Sequence, residues 1–309
     1  MPELPEVEVV RSGLAPAMTG ARIVAVTVHD ERALTRHAAG AADFVARVEG
    51  SEVSTVARRG KFLWMPLATA GPGGRSAIVG HLGMSGQLLL RRPGAATERH
   101  ERIRLFVEHP QHGELAVVFA DQRTFGSLAV DALVPTADAR AAGWGSAEPL
   151  IPSQVSHIAR DPMDEAFQDA AFRSALRTRS SAIKRVLLDQ SLISGVGNIY
   201  ADESLWAARI HPETPASALS TVAVNRLLAE VRAVLEKALA EGGTSFDAQY
   251  VNVNGEAGYF AHSLNAYGRE QQSCARCGSP IRRVKFMNRS SFFCPRCQRQ
   301  RSSSSRVAD

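Results

Sequence analysis

Long apolar runs are missing from this 309-residue chain. No stretch of 18 or more consecutive apolar residues occurs, so a membrane-spanning helix is not expected. The opening residues, Met1-Pro-Glu-Leu-Pro-Glu-Val-Glu8, place three Glu before the first Arg and lack an apolar segment. That pattern does not suit a secretory leader and predicts a cytoplasmic location. Extremes of composition are missing too: 45% hydrophobic and 22% charged residues exclude a wholly disordered or fibrous chain. The length suggests two domains with ample material for a core. Cysteine is scarce, with four in the whole chain, and disulfides are rare in the cytosol.

What is present is unevenly placed. The chain has 36 Lys+Arg against 31 Asp+Glu, a net charge of +5. Residues 271–309 hold nine Lys/Arg against one acid, a local +8, which leaves −3 for residues 1–270. The four cysteines share this basic end. They read Cys274-x2-Cys277, sixteen residues, then Cys294-x2-Cys297. Two such knuckles match the zinc-ribbon pattern, in which each supplies two thiolates to one tetrahedral Zn²⁺ with no open position for catalysis. A pair of disulfides or redox thiols is the competing reading of the same spacing. Ile281–Phe286 and Ser290–Phe293 are expected to pair as strands around a turn at Asn288. A basic ribbon suits a phosphate backbone as partner, whereas residues 301–309 have the composition of a disordered tail.

Residues 22–130 alternate as strands: Val24, Val26 and Val28 form one series, and Ile103, Leu105 and Val107 another. Many strands without intervening helices predict a β-sandwich. Pro135, Pro149 and Pro152 with several Ala and Gly mark 134–156 as a linker. Beyond it, Phe172, Leu176, Ile183, Val186 and Leu187, then Leu227, Leu228, Val231, Val234 and Leu235, recur at helical spacing. Gly195-Val-Gly-Asn-Ile-Tyr-Ala201 fits a dinucleotide fingerprint, but no buried strand precedes it. It is better taken as helix, glycine turn, helix, with Asn198 as N-cap and Asp202 and Glu203 near the first turn. Such a turn can bind a phosphate or simply cap the helix.

The least ordinary chemistry lies in the first six residues. Pro2 permits removal of Met1, which would leave a secondary amine at the terminus. A free α-amino group has a pKa of about 7.7–8, so part of it is unprotonated near neutrality. An amine beside Glu3 and Glu6 could form a Schiff base while an acid or base moves protons. The same acids also suit a capped first helix.

Taken together, the Met1–Glu8 run, His81-Leu-Gly-Met-Ser-Gly86, Asp121-Gln-Arg-Thr-Phe-Gly126, the Gly195–Ala201 turn and the cysteine ribbon closely resemble the bacterial formamidopyrimidine-DNA glycosylases. The likeness runs from residue 2 to about 298. It implies an enzyme that excises oxidised purines, chiefly 8-oxoguanine and formamidopyrimidines, from duplex DNA and then nicks the abasic strand. It also implies an α+β, multi-domain fold. The expected parts are an N-terminal helix and β-sandwich (2–133), the linker (134–156), a helix–two-turn–helix domain (157–262), a β-hairpin zinc finger (263–300) and the tail (301–309).

The resemblance further implies roles for matching residues. Pro2 would attack C1′ of the damaged nucleotide, and Glu3 would be the general acid/base. Glu6 would be a second carboxylate that stabilises or relays protons. Lys61 would contact the lesion's phosphates and assist elimination, and Arg289 would serve the second elimination. Met84, Arg123 and Phe125 would fill the void left by the flipped base, while His100, Arg179, Lys184 and Asn198 would hold the DNA backbone. Arg102 stands where some relatives have His, and residues 243–262 resemble a loop that covers the flipped base. Cys274, Cys277, Cys294 and Cys297 would hold one structural Zn²⁺. The implied partner is double-stranded DNA with oxidised bases or abasic sites, met by a monomer at the bacterial nucleoid. A non-catalytic DNA-binding paralogue, or a preference for oxidised pyrimidines like that of the endonuclease VIII relatives, are the alternatives.

Overall fold

The computed structural model describes residues 2–68, 74–244, 253–254 and 258–300. The tail at 301–309 and much of the proposed base-covering segment, 245–252 and 255–257, lie outside the described residues. The chain forms two compact units, residues 1–160 with 238–261, and residues 161–237 with 262–309.

The first unit opens with helix α1 (Leu4–Met18), which carries Pro5 in its first turn, where a missing N–H is harmless. Strand β1 (Arg22–Val28), helix α2 (Gly40–Val48), β2 (Ala57–Arg59), β3 (Phe62–Pro66), β4 (Ser76–His81), β5 (Gly86–Arg91), β6 (Glu101–His109), β7 (Gly113–Asp121), β8 (Ser127–Pro135) and β9 (Leu150–Pro152) follow. They build two antiparallel sheets, ordered β1-β6-β7-β5 and β2-β3-β4-β8-β9. One core unites them: Ile23, Leu88, Ile103, Leu105, Val117 and Phe119 from the first meet Leu63, Met65, Ile78, Leu128 and Val130 from the second. Val7, Val10, Leu14 and Met18 of α1 join this core; each such side chain contributes about 1.5–3 kcal/mol when fully buried. The unit is therefore the expected helix and sandwich.

In β1 a bulge between Ile23 and Ala25 breaks the simple alternation. Ile23 is buried, whereas Val24 is exposed, and Val26 and Val28 pack against the core. The extra residue switches which parity faces inward.

Residues 134–156 are not a linker. β9 pairs with β8 through Leu133–Pro152, Val134–Ile151 and Pro135–Leu150, and Arg58 and Trp144 exchange backbone bonds of 2.9 and 3.0 Å. Ala142, Ile151, Val155 and Ile158 cover Phe62 and Trp64 on the second sheet's outer face. Pro152 is tolerated because β9 is an edge strand, and Pro135 lies at the end of β8, beyond its pairing with β4. The far end of the predicted helical domain also belongs to the first unit: Val253 packs against Gly13, and its carbonyl accepts Leu90 N–H at 2.9 Å.

The second unit contains helices α3 (Asp169–Arg177), α4 (Ile183–Leu187), α5 (Asn198–Ala207) and most of α6 (Thr221–Ala240), then the antiparallel hairpin β10 (Arg282–Phe286) and β11 (Arg289–Phe293). The hairpin turns at Met287-Asn288, with Met287 in the left-handed region at φ 54°. Among the described residues no helix is long and apolar enough to cross a membrane.

Candidate active site and nucleic-acid interface

The first residues of the chain are buried rather than frayed. Glu3 is 1% exposed and Glu6 is 4% exposed. Glu6 is held from three directions. The backbone N–H of Glu3 donates to its Oε2 at 2.8 Å, while the N–H and hydroxyl of Thr244 donate to Oε1 at 2.7 and 2.8 Å. Gly243 (φ 82°) sits so close that a Cβ there would lie 3.0 Å from the same oxygen. Glu6 therefore ties the start of α1 to residues 243–244. Glu3 and Glu6 also form a reciprocal capping box at the start of α1, with the Glu3 side chain accepting the Glu6 backbone N–H.

Lys61 follows a glycine turn between β2 and β3, with Gly60 at φ 56°. The two arginines before it are structural. Arg58, 1% exposed, donates from Nε to Glu8 at 2.8 Å and from NH1 to the Gly60 carbonyl at 3.1 Å. Arg59 donates to the Ala142 carbonyl at 2.7 Å. Burial would raise the Glu8 carboxyl, but hydrogen bonds and charge from Arg11 and Arg58 hold it below its usual range. Glu8 and Arg58 thus connect the helix that begins at Glu3 to the turn that presents Lys61.

His81, at the end of β4, belongs to the same neighbourhood. Its ring packs 4.7 Å from Phe62, and its Nδ1 accepts the Gly83 N–H at 3.1 Å, so the neutral tautomer carries its proton on Nε2. Loss of water around the ring, followed by the charges of Arg36 and Lys61, pushes its pKa down to about 4. A depressed imidazole favours folding above its unfolded pKa of about 6.5 and loses that contribution as pH falls toward about 4. The His81 Cε1 proton resonance should therefore stay flat from about pH 8 to about pH 5, and Lys61→Ala should move its midpoint upward. An inflection near pH 6.5 in the unsubstituted protein would contradict this.

Two exposed apolar side chains stand together on adjacent loops of this unit: Met84, 39% exposed, and Phe125, 58% exposed. The Arg123 guanidinium lies 5.2 Å from the Phe125 ring centroid. His100 is held in the left-handed region at φ 63°, and its buried Nε2 has no hydrogen-bond partner among the described residues. Arg102 is internal instead, bonded to Asp30 at 2.7 Å and to the Asp121 carbonyl at 2.9 Å.

In the second unit the glycine turn is closed by Gln190, which accepts Gly195 N–H at 3.0 Å and donates to the Val196 carbonyl at 2.9 Å. Gly197, not Asn198, is the N-cap of α5, and there are no acids in its first turn. Asn198 instead donates to the Ser290 carbonyl at 3.0 Å. Asp202 and Glu203 face inward. Asp202 accepts from the buried Lys184 ammonium at 2.8 Å, from Ser291 Oγ at 2.9 Å and from Phe292 N–H at 2.9 Å. Burial pushes Asp202 up to about 6 against the pull of Lys184. Glu203 accepts three successive backbone N–H groups, Asn265 at 2.9 Å and Ala266 and Tyr267 at 2.8 Å. Lys184, Asn198, Asp202 and Glu203 therefore grip the hairpin and its approach. Arg179 is partly exposed and paired with Asp189 at 2.8 Å. Arg289 is exposed at the start of β11, opposite Phe286.

The cysteines converge. All four Sγ atoms lie within 4.8 Å of one another, and those of Cys277 and Cys294 stand 3.4 Å apart. A disulfide requires about 2.05 Å, so the thiols are free. Four sulfurs around a metal at about 2.3 Å would stand roughly 3.8 Å apart, between the 3.4 Å of Cys277 and Cys294 and the 4.8 Å that bounds this cluster. Trp206 Nε1 donates to Cys274 Sγ at 3.4 Å, the kind of second contact that steadies a thiolate ligand. The cluster suits one structural Zn²⁺ with no open position.

Comparison with known proteins matches this arrangement along the chain. Residues 1–128 match the formamidopyrimidine-DNA glycosylase N-terminal domain, 158–249 its H2TH domain, and 272–300 the zinc finger found in FPG and IleRS. A formamidopyrimidine-DNA glycosylase of Leifsonia xyli is 65% identical over 97% of this chain and 100% of its own. The chain belongs to the formamidopyrimidine-DNA glycosylase family. Membership makes it an enzyme, a DNA glycosylase of base-excision repair with a zinc finger. Two solved structures resemble it closely. The Lactococcus lactis family member bound to DNA with an abasic site is 28% identical, with a TM-score of 0.78, covering 96% of this chain and 100% of that one. The same protein bound to DNA containing an oxidised pyrimidine is 28% identical with a TM-score of 0.78, covering 97% and 100%.

Several of the site's contacts had no signal in the sequence. Glu8 and Arg58 bond to each other across fifty residues, and Asp202 and Glu203 bond to groups more than sixty residues away. The motifs that contain them are visible, but which letters bond to which is not.

Proposed function

We propose that this family member removes oxidised purines, 8-oxoguanine and formamidopyrimidines, from duplex DNA through an N-terminal Schiff base and then cleaves the strand by β- and δ-elimination. The observation that carries the reading is the buried Glu3 beside Pro2, with the neighbouring Glu6 fixed by Glu3 N–H and Thr244. The Pro2 nitrogen attacks C1′. The C1′–N bond breaks, and the base departs with a proton. Ring opening at O4′, with Glu3 moving the proton, leaves an iminium between Pro2 and C1′. That cation accepts the electrons released when a C2′ proton is lost, so the 3′ phosphate leaves. A second elimination expels the 5′ phosphate.

In this reading Lys61 and the neutral His81 face the phosphates flanking the lesion. Arg289, exposed on the hairpin, aids the second elimination. Met84, Arg123 and Phe125 fill the space vacated by the flipped base, which costs a few kcal/mol of unstacking. His100 and Arg179 hold the backbone. We assign Lys184 and Asn198 to carrying the hairpin that presents Arg289, since both bond to Ser290. Glu6 is assigned to anchoring, in place of proton relay. The protein works as a monomer in the bacterial cytoplasm, at the nucleoid.

The competing substrate class is the oxidised pyrimidines. Single-turnover excision on matched duplexes containing 8-oxoguanine or thymine glycol separates the two. Faster release of 8-oxoguanine is expected; a strong preference for thymine glycol would overturn the substrate assignment.

A further inference from the structure

The loops that carry Met84 and Phe125 are fused into one body, and a single carboxylate joins them. Asp121, the last residue of β7, is 1% exposed. Its Oδ1 accepts the Ser85 hydroxyl at 2.5 Å and the Arg123 N–H at 3.1 Å, and its Oδ2 accepts the Gly126 N–H at 2.7 Å. Ser85 Oγ also accepts the Arg123 N–H at 3.1 Å. The backbone of Asp121 is fixed as well, donating to the His100 carbonyl at 2.9 Å and accepting from Arg102 Nε at 2.9 Å. Arg102 is itself held by Asp30 at 2.7 Å. One buried side chain thus bonds the Met84 loop through Ser85 and both ends of the Arg123–Phe125 loop.

The backbones around it leave no slack. A Cβ on Gly83, at φ 61°, would lie 2.4 Å from Gly126 N and from the Phe125 carbonyl carbon, and one on Gly126 would lie 2.8 Å from the His81 carbonyl oxygen. Thr124 sits at φ 53°, a region that β-branched residues avoid and hold only where the surroundings over-determine it. The Asp121 bonds to Arg123 and Gly126 bracket that residue and supply the constraint.

We propose that Asp121, through Ser85, is a positioning residue that sets Met84, Arg123 and Phe125 in one fixed register, so that the three enter the DNA stack as a single wedge. This rests on the void-filling reading given above. Three side chains on independent loops would each lose conformational freedom on insertion, whereas a pre-assembled block loses little. Asp121 never touches the reacting sugar, so its effect falls on base flipping rather than on bond breaking.

The test uses the intact protein with Asp121→Asn, and Ser85→Ala as a milder variant that removes one bond of the set. Flipping is read from a 2-aminopurine placed next to 8-oxoguanine in a duplex, with single-turnover excision measured alongside. Chemistry is read from borohydride trapping on a single-stranded oligonucleotide with a preformed abasic site, where there is no stack to enter. Loss of a charge-assisted buried hydrogen-bond set should slow duplex flipping and excision on the order of 10–100-fold for Asp121→Asn, and less for Ser85→Ala. Single-stranded trapping should be unchanged. Equal losses on both substrates would overturn the proposal, because Asp121 would then be a general fold residue. Unimpaired duplex flipping in Asp121→Asn, with Met84→Ala and Phe125→Ala both defective, would overturn it while leaving the void-filling reading intact. Normal flipping in Met84→Ala and Phe125→Ala would remove that reading and the proposal with it.

Discussion

Replacing Pro2 with glycine should lower strand cleavage at abasic sites on the order of 10–100-fold while leaving duplex affinity within about twofold. A secondary amine condensed with C1′ gives an iminium that is cationic without any added proton, so it is always ready to accept electrons. A primary amine gives an imine that must first be protonated, and only the protonated fraction is a good electron sink. Affinity should hold because it comes from phosphate contacts spread over other residues and should fall steeply with salt for both proteins alike. Lyase rates on a preformed abasic duplex, compared with binding at two salt concentrations, give the two numbers. Equal lyase activity in Pro2→Gly would contradict the argument that a secondary amine is needed for fast elimination.

Removing the metal should have an effect of similar or greater size through a different route. Among the described residues the apolar cluster around the cysteines is small, with Ala266, Ile281 and Phe292 buried and Trp206 and Tyr267 packed against them, and such a small unit gains little to offset the entropy of ordering the hairpin. Structural zinc supplies on the order of 10–16 kcal/mol in isolated fingers. Chelation, or Cys294→Ser, should therefore melt the hairpin that bears Arg289 and lower affinity for lesion duplexes on the order of 100-fold. The sandwich should keep its own melting transition, because its core shares no residue with the zinc cluster. Zinc content by atomic absorption, with affinity measured before and after chelation, tests this. Full affinity in a metal-free sample would contradict it.

The features legible in the sequence were those with short-range or periodic signatures. The cysteine spacing gave the metal cluster, the alternation of Ile103, Leu105 and Val107 gave a strand face, and Pro2 stood out by its chemistry. What escaped was governed by distant partners. Pro149 and Pro152 suggested a linker because composition carries no sign that Ile151 and Val155 lie against Trp64. Lys184 was expected to hold the DNA backbone, yet it is buried against Asp202, eighteen residues later. Glu6 suggested chemistry, and nothing local in the sequence shows that Thr244, 238 residues away, donates to one of its oxygens. Asp121 showed only as one letter of a motif, because its role depends on three loop groups brought together by two sheets. Local pattern specifies which face of an element is apolar; the partners of a buried polar group are fixed only by the tertiary fold.

The most direct measurement is borohydride reduction during turnover of an 8-oxoguanine duplex, followed by proteolysis and mass spectrometry of the trapped protein. The account predicts a single covalent adduct on the N-terminal peptide, with the sugar remnant on the Pro2 nitrogen. An adduct on a lysine instead, or none at all while base release continues, would contradict it.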